Sequence, residues 1–370
     1  MMARTTRAGL VVALVVVLSP AAASAQAVNV DAFRLADAGK KALDEKRFAD
    51  ALASFTAAAK LAPQNPSILF GAGASAFMLA QYAEAERYFE RVLQVEPRFK
   101  DASLILGELQ YRTGRIKEAV ATYEAALKYA PNDATLIDKI ARWSSEARSE
   151  SRFSETRGVH FRVLFEGPVD QALARRAVEL LETAYLRVGD ELRFYPGSAV
   201  EVVLYTEQQF RDVTRAPAWA GGQYDGRIRV PVKGALDRVD LLERVLTHEY
   251  VHALIASLAG LEVVPAWVDE GLAEALSPGG LTESERLRAA MKQRLPLSSL
   301  HKGFGGLPVG QVALAYAESA VAARAMLDQR GPSAVIMLLR DLAARVPFDT
   351  AFHQRIGLRY DEFQAFVARR

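Results

Sequence analysis

Two of the five histidines in this chain stand four residues apart, with a glutamate directly after the first. They are His248 and His252, and the glutamate is Glu249. On a helix, four residues turn the chain by about 400°, so both imidazole rings lie on one face. Two imidazoles at that spacing can bind one zinc ion at about 2.0–2.1 Å each, and Glu249 then stands beside the metal as a base.

The residues around this motif predict that it lies on a helix. An apolar run over residues 241–259 contains the motif, and Gly260 follows it as a C-terminal stop. Asp240 and Glu243 are placed as a capping pair at the start of the run. The sequence therefore predicts one helix that carries both histidines.

A third ligand is expected from the second short helix that follows, over residues 265–276. The connection of six residues, 261–266, can span up to about 20 Å, which is enough to return Glu270 to the histidine pair. Glu274 lies one turn further along, where it can accept the free N–H of a ligating imidazole. Asp269 points about 100° away from Glu270 and is expected to be a solvated neighbour.

These two segments resemble the gluzincin metallopeptidases, in particular the peptidase-MA-like domains that are often joined to tetratricopeptide repeats. The resemblance rests on HEYVH at residues 248–252 and on WVDEGLAE at residues 267–274. It extends over residues 158–370 and implies a zincin-like α+β fold with a helical C-terminal part.

The resemblance also implies a role for each residue that matches the motif. His248, His252 and Glu270 would bind one Zn²⁺ per chain, Glu249 would be the general base, and Glu274 would support a ligating histidine from behind. The implied activity is hydrolysis of peptide bonds by a zinc-bound water that Glu249 activates.

Gluzincins commonly stabilise the oxyanion with a tyrosine or histidine that follows the zinc ligands. Tyr316 is the first candidate here, because related domains carry a similar Tyr-x-x-Ser segment, and His301 is the reserve. A tyrosine in an alanine-rich helix is also an ordinary packing residue, so both roles stay open for Tyr316.

The N-terminus has the pattern of a secretory signal peptide, residues 1–25. Arg4 and Arg7 precede an apolar stretch, 8–18, and small residues lead to a cleavage point after Ala25. Eleven apolar residues are too few to cross a bilayer. The mature chain is therefore expected to be exported, periplasmic or secreted, without a transmembrane anchor, and the absence of cysteine excludes disulfides.

The charge balance gives no sign of a nucleic-acid partner. Removal of residues 1–25 takes away two arginines, which leaves 44 basic and 44 acidic residues. Hydrophobic residues make up 51% of the chain, which is enough for two domains with their own cores.

The first of these domains is repetitive, with a period of 34 residues. Proline, glycine, alanine and large aromatic residues all recur at this spacing: Pro63, Pro97 and Pro131; Gly39, Gly73 and Gly107; Ala51, Ala85 and Ala119; Phe55, Phe89 and Tyr123. This period is that of tetratricopeptide repeats, in which each unit is a helical hairpin. We predict about three repeats and a capping helix over residues 26–147, which form an all-α solenoid. Such a solenoid usually binds a peptide or protein partner, and the alternative is a purely structural role in stabilising or spacing the peptidase domain.

Between the repeats and the zinc motif the sequence predicts mixed structure. Residues 148–157 are polar and charge-mixed, as in a linker or the frayed end of a helix. Strands are predicted at 159–165 and 200–206, a long helix at 169–192, and a hairpin with an Asp-Gly turn at 221–231.

A rival hypothesis comes from another functional class. In it the protein is a non-catalytic scaffold of the cell envelope, whose repeats bind partners and whose HExxH domain keeps a structural or degenerate zinc site. The two hypotheses differ at Glu249, since only the peptidase needs its carboxylate for cleavage.

Overall fold

The computed structural model describes residues 30–167, 171–215, 221–232, 238–260, 263–291 and 293–369. The predicted signal peptide, residues 1–25, lies outside this described part. The described chain divides into two compact units, residues 30–147 and 148–369. We call them the repeat unit and the HExxH unit.

The repeat unit is built from three helical hairpins. Their helices are α1 (Val30–Asp44), α2 (Phe48–Leu61), α3 (Pro66–Met78), α4 (Tyr82–Val95), α5 (Lys100–Arg112) and α6 (Ile116–Leu127). Pro63, Pro97 and Pro131 each stand just after the second helix of a hairpin, as the 34-residue period predicts.

A glycine in the first helix of each hairpin makes room for an aromatic ring from the second. A Cβ atom added to the glycine would lie 2.8, 2.9 or 2.2 Å from a ring carbon, in the pairs Gly39 with Phe55, Gly73 with Phe89, and Gly107 with Tyr123. These separations are far below van der Waals contact, so only glycine lets the two helices approach this closely. In each hairpin the recurring glycine and the recurring aromatic residue are therefore the two partners of one contact between helices.

Helix α7 (Ala134–Glu150) covers the end of the repeats, as predicted for the capping helix. Trp143 is 2% exposed, and its ring stacks on Tyr111 at 4.5 Å and lies 4.7 Å from Tyr123. The Tyr111 hydroxyl donates a hydrogen bond of 2.8 Å to Glu146, a buried carboxylate. These aromatic rings form a core cluster of their own at this end of the unit.

The HExxH unit contains a five-stranded sheet in the order β1-β2-β3-β5-β4. The strands are β1 (Phe153–Arg157), β2 (Phe161–Glu166), β3 (Val200–Tyr205), β4 (Gln223–Tyr224) and β5 (Ile228–Pro231). The three central strands run parallel, and each edge strand is antiparallel to its neighbour. The predicted strands and the hairpin over 221–231 are present, with boundaries shifted by a few residues.

The prediction of a linker at 148–157 is wrong for Phe153–Arg157, which forms the edge strand β1. Its polar side chains suit an edge because most of them face solvent, whereas Phe153 packs against Tyr205 at 5.8 Å between ring centroids. The first part of the segment is the end of α7.

Helices cover both faces of the sheet. One face packs on α8 (Gln171–Leu192) and α10 (Val239–Ala259) through the main core of the unit. The other face carries a small cluster with α9 (Glu207–Thr214). This arrangement packs α10, the helix with the histidine pair, against the sheet.

The rest of the unit is helical, as predicted. It consists of α11 (Ala266–Leu276), α12 (Gly280–Ala290), a short 3-10 helix (Leu297–Leu300), α13 (Val309–Arg330), α14 (Pro332–Ala343), α15 (Phe348–Ile356) and α16 (Tyr360–Arg369). Within the described residues, none of the helices combines the length and the apolar character that a bilayer crossing requires.

Candidate metal centre

Helix α10 brings the HExxH motif into the interior of the unit. Nearly all of its second half is buried, and His248, Glu249 and His252 are between 0% and 3% exposed. Gly260 ends the helix with φ of 63°, as its position predicted. The predicted capping pair is wrong, because the helix begins after Arg238 and has no side-chain cap.

Helix α11 is held beside α10 by close packing against α13. A Cβ atom on Gly271 would lie 2.2 Å from the carbonyl oxygen of Ser319, so the two helices touch where one residue lacks a side chain. Gly271 directly follows Glu270 on α11. The close packing therefore fixes the part of α11 from which Glu270 faces the histidines.

Three side chains converge between these helices. Glu270 Oε2 lies 3.3 Å from His248 Nε2 and 3.5 Å from His252 Nε2. One nitrogen from each histidine and one Glu270 oxygen all lie within 4.8 Å of one another, and all three residues are buried, so this group could hold a metal ion. The structure thus brings together the three residues that the sequence predicts as zinc ligands.

The separations from Glu270 suit a tetrahedral zinc site. For bonds of about 2.0–2.2 Å, two ligand atoms of a regular tetrahedron stand about 3.3–3.6 Å apart. Both Glu270 distances fall in this range. Two imidazole nitrogens and one carboxylate oxygen are the donor set of many catalytic zinc sites, which leave a fourth position open.

An acidic side chain contacts the Nδ1 atom of each histidine, while the Nε2 atom faces Glu270. His252 Nδ1 lies 2.7 Å from Asp269 Oδ1, and His248 Nδ1 lies 3.4 Å from Glu274 Oε2. Such contacts fix the tautomer with the proton on Nδ1, so that each Nε2 is free to bind a metal. The structure contains the predicted contact between Glu274 and a histidine.

The expectation that Asp269 is a solvated neighbour is wrong. Its side chain is 1% exposed and is bonded to His252. Adjacent positions on α11 do point about 100° apart, but the histidines occupy successive turns of α10. Glu270 can therefore face both Nε2 atoms while Asp269 reaches the far side of His252.

The acidic surroundings shift the pKa values of His248 and Glu274 in opposite directions. Burial lowers the pKa of His248, but hydrogen bonds to Glu270 and Glu274 outweigh it and raise the pKa to about 9. Burial raises the pKa of Glu274, but His248 and Arg244 outweigh it and lower the pKa to about 2. These carboxylates therefore favour the protonated form of His248, and a metal ion at Nε2 would compete with that proton.

Glu249 lies fully buried beside the first histidine, and the backbone of Gly222 passes directly over it. A Cβ atom on Gly222 would lie 2.8 Å from Glu249 Oε1 and 2.9 Å from its Cγ. Gly222 immediately precedes the edge strand β4. The carboxylate is therefore bounded on one side by a segment that must lack a side chain at this position.

The two candidates for the oxyanion donor have different surroundings. Tyr316 is 8% exposed on α13, and its ring makes an edge contact with Phe304 at 4.9 Å. His301 belongs to an aromatic cluster, and its Nε2 lies 2.8 Å from the Tyr360 hydroxyl. Burial lowers the pKa of His301. The Nε2 atom of His301 therefore already has a hydrogen-bond partner in the structure.

Sequence reasoning did not single out Arg244, whose guanidinium pairs with the carboxylates of Glu274 and Glu283. One signal was available, since Arg244 stands four residues before His248 and must share its face of the helix. No comparable signal marks Gly222, because its contact with Glu249 depends on how the strand crosses the helix.

A comparison with protein families finds a match within the repeat unit. The tetratricopeptide repeat family matches residues 36–80 and, in a second form, residues 76–142. Residues 36–142 are tetratricopeptide repeats. The prediction of a helical repeat solenoid from the 34-residue period is therefore confirmed.

A curated relative and a solved structure resemble part of the chain. The Hsp70-Hsp90 organizing protein of Triticum aestivum is 23% identical over 114 residues, which cover 31% of this chain and 20% of that protein. The chain thus spans about one fifth of the length of this relative. The first TPR of Spaghetti (RPAP3), bound to the HSP90 peptide SRMEEVD, is 20% identical with a TM-score of 0.29, over 32% of this chain and 97% of that one.

Proposed function

We propose that the HExxH unit is a zinc-dependent peptidase of the gluzincin type. The observation that carries this proposal is the convergence of both Nε2 atoms on Glu270, each imidazole being held from behind by a carboxylate. A structural packing role does not need this orientation. This orientation brings three donor atoms together, and the residue that follows His248, Glu249, is a fully buried carboxylate, which supports the proposal.

His248, His252 and Glu270 would hold the zinc ion. Zinc in such a site is a Lewis acid, which polarises a carbonyl and makes water more acidic. Glu249 would accept a proton from the attacking water and return it to the leaving amine. Its enclosure between α10 and the Gly222 backbone limits competing solvent and keeps the carboxylate in one place.

A donor for the oxyanion belongs to the same proposal, and we assign it to Tyr316. Helix α13, which carries Tyr316, touches α11 one turn further on, at Ser319. A phenol hydroxyl can donate to the negative oxygen that develops in peptide hydrolysis.

For the repeats we propose binding of a protein or peptide partner, as is usual for tetratricopeptide stacks. We also propose export to the periplasm or the exterior, on the pattern of residues 1–25. Substrates would then be peptides or partly unfolded proteins outside the cytoplasm.

The test measures zinc content and peptide cleavage in the mature chain, residues 26–370. About one zinc per wild-type chain is expected, with a large loss in Glu270→Ala. Glu249→Gln should keep the zinc but abolish cleavage of an unfolded protein substrate. Glu285→Gln, at an exposed position on α12, is the matched control and should change neither quantity.

Each result separates the hypotheses. Zinc binding with cleavage that survives Glu249→Gln would refute the mechanism and favour the non-catalytic scaffold. A wild-type chain without zinc would refute the metal site itself.

A further inference from the structure

Arg244 connects three helices behind the metal centre. It lies on α10, one turn before His248, and its two terminal nitrogens pair with Glu274 on α11 and Glu283 on α12. The two partners differ in exposure, since the Glu274 side chain is 13% exposed and the Glu283 side chain is 63% exposed. Only the pair with Glu274 is sheltered enough from water to have a sizeable effect.

Glu274 uses its two oxygens for two different partners. Oε1 pairs with Arg244, and Oε2 lies 3.4 Å from His248 Nδ1. Gly280, at the start of α12, lies close to the same carboxylate, since a Cβ atom on it would stand 3.3 Å from Oε1. The Arg244 guanidinium therefore restrains the Glu274 carboxylate, and this carboxylate in turn restrains the His248 imidazole.

The carboxylates that contact the two histidines differ in how strongly their own helix backbone restrains them. Asp269 is short and reaches His252 at 2.7 Å, so the helix backbone nearly fixes its position. Glu274 has one more rotatable bond and stands further away, at 3.4 Å from His248. A longer side chain loses more conformational freedom when it is held in place, and a second anchor reduces that cost.

We infer that Arg244 is a positioning residue, which holds Glu274 so that His248 directs its Nε2 at the metal. This inference rests on the proposed zinc site. Partners behind a metal ligand typically change metal affinity by 10–100-fold when they are removed. We expect a loss in this range for Arg244→Met, which removes the charge and keeps much of the side-chain volume.

The alternative is that Arg244 only fastens α12 to α10. Its two partners separate these roles, because Glu274→Gln weakens the pair that faces the metal and Glu283→Gln weakens the pair that faces solvent. Zinc affinity is measured by competition with a chromophoric chelator on the full mature chain. The visible spectrum of the Co²⁺-loaded protein reports on ligand geometry, and the melting temperature of the metal-free protein reports on folding.

The expected result is a loss of zinc affinity of at least tenfold in Arg244→Met and in Glu274→Gln, with an altered Co²⁺ spectrum. Glu283→Gln should stay within threefold of wild type. In the Glu274→Gln background, Arg244→Met should cost at most a further twofold, because Arg244 acts through Glu274. If Arg244→Met does not fold, Arg244→Lys takes its place, since one ammonium group is a poor substitute for a guanidinium that pairs with two carboxylates.

Three results would overturn the inference. They are an affinity of the Arg244 variant within twofold of wild type, an equal loss in Glu283→Gln, and additive losses in the double variant. In each of them wild-type zinc binding is intact, so the proposed peptidase survives. A wild-type chain that binds no zinc would instead remove both proposals.

Discussion

The repeat unit and the HExxH unit bury very different side chains. In the described part of the repeat unit the buried polar residues are few: Ser75, Ser103, Gln110 and Glu146. The HExxH unit buries the histidine pair with three carboxylates, at 0–3% exposure, on two adjacent helices. Burial of charged groups costs free energy unless they are paired. The repeat unit is therefore arranged for packing, whereas the HExxH unit must offset the cost of burying charged groups through pairs such as His252 with Asp269.

The glycines of the two units also make room for different kinds of side chain. Gly107 makes room for the ring of Tyr123, which is a contact between apolar groups. Gly222 makes room for the carboxylate of Glu249. The same lack of a side chain thus supports stability in one unit and, in our proposal, chemistry in the other.

The largest effect is expected at Trp143 in the repeat unit. Trp143→Ala removes a buried ring that contacts Tyr111 and Tyr123, and should lower the free energy of unfolding by about 3–5 kcal/mol. Urea unfolding followed by circular dichroism measures this loss. Zinc content should stay unchanged, and a parallel loss of zinc would contradict the separation of roles between the two units.

A matched pair of glycine substitutions should give an intermediate effect. Gly107→Ala places a methyl group 2.2 Å from a buried ring, and we expect a destabilisation of about 1–3 kcal/mol. Gly222→Ala places a methyl group 2.8 Å from Glu249 Oε1 and 2.9 Å from its Cγ, and because a chain of rotatable bonds gives way more easily than a buried ring, we expect a smaller destabilisation, below about 1 kcal/mol. Its cleavage rate should nevertheless fall at least tenfold, because Glu249 must move.

The stabilities of Gly107→Ala and Gly222→Ala are compared by melting curves, and their cleavage rates by kcat on one peptide substrate. If Gly222→Ala unfolds as readily as Gly107→Ala, or cleaves at the wild-type rate, then the proposed contrast between the two glycines does not hold.

The smallest effect is expected for Asp269→Asn. An asparagine oxygen can still accept a hydrogen bond from His252, but the negative charge behind the ring is lost. Zinc affinity should decrease about tenfold, which equals about 1.4 kcal/mol. Asp240→Asn is the control, since Asp240 is an exposed residue on the same unit. Equal affinities in the two variants would show that Asp269 only fills space.

Local patterns in the sequence predict the repeat unit well. The period of 34 residues places the glycine and aromatic partners in adjacent helices, so their contact follows from the repeat itself. The apolar residues that open the second helices, namely Phe48, Tyr82 and Ile116, also recur at this period. Little in this unit depends on segments that are distant in the chain.

The candidate metal centre was predictable only in part. The spacing of His248 and His252 on one helix, and the short return to Glu270, are local features. The contacts of Asp269 and Gly222 depend on how α11 and the segment before β4 cross α10, and sequence spacing does not determine these crossings. The strand β1 was missed for a related reason, since an edge strand lacks the apolar pattern by which a buried strand is recognised.

The pairing of glycine and aromatic residues in the repeat unit also bears on the order of folding. Each pair, such as Gly39 and Phe55, joins positions only sixteen residues apart. The sheet of the HExxH unit instead joins β3 to β5 across more than twenty residues, with α9 between them. Chains rich in short-range contacts fold faster, so the repeats should reach their native packing first. Trp143 and Trp267 lie in different units. The chain has three tryptophans, so variants in which Trp219 and one of these two are replaced by phenylalanine would time the two events by fluorescence during refolding.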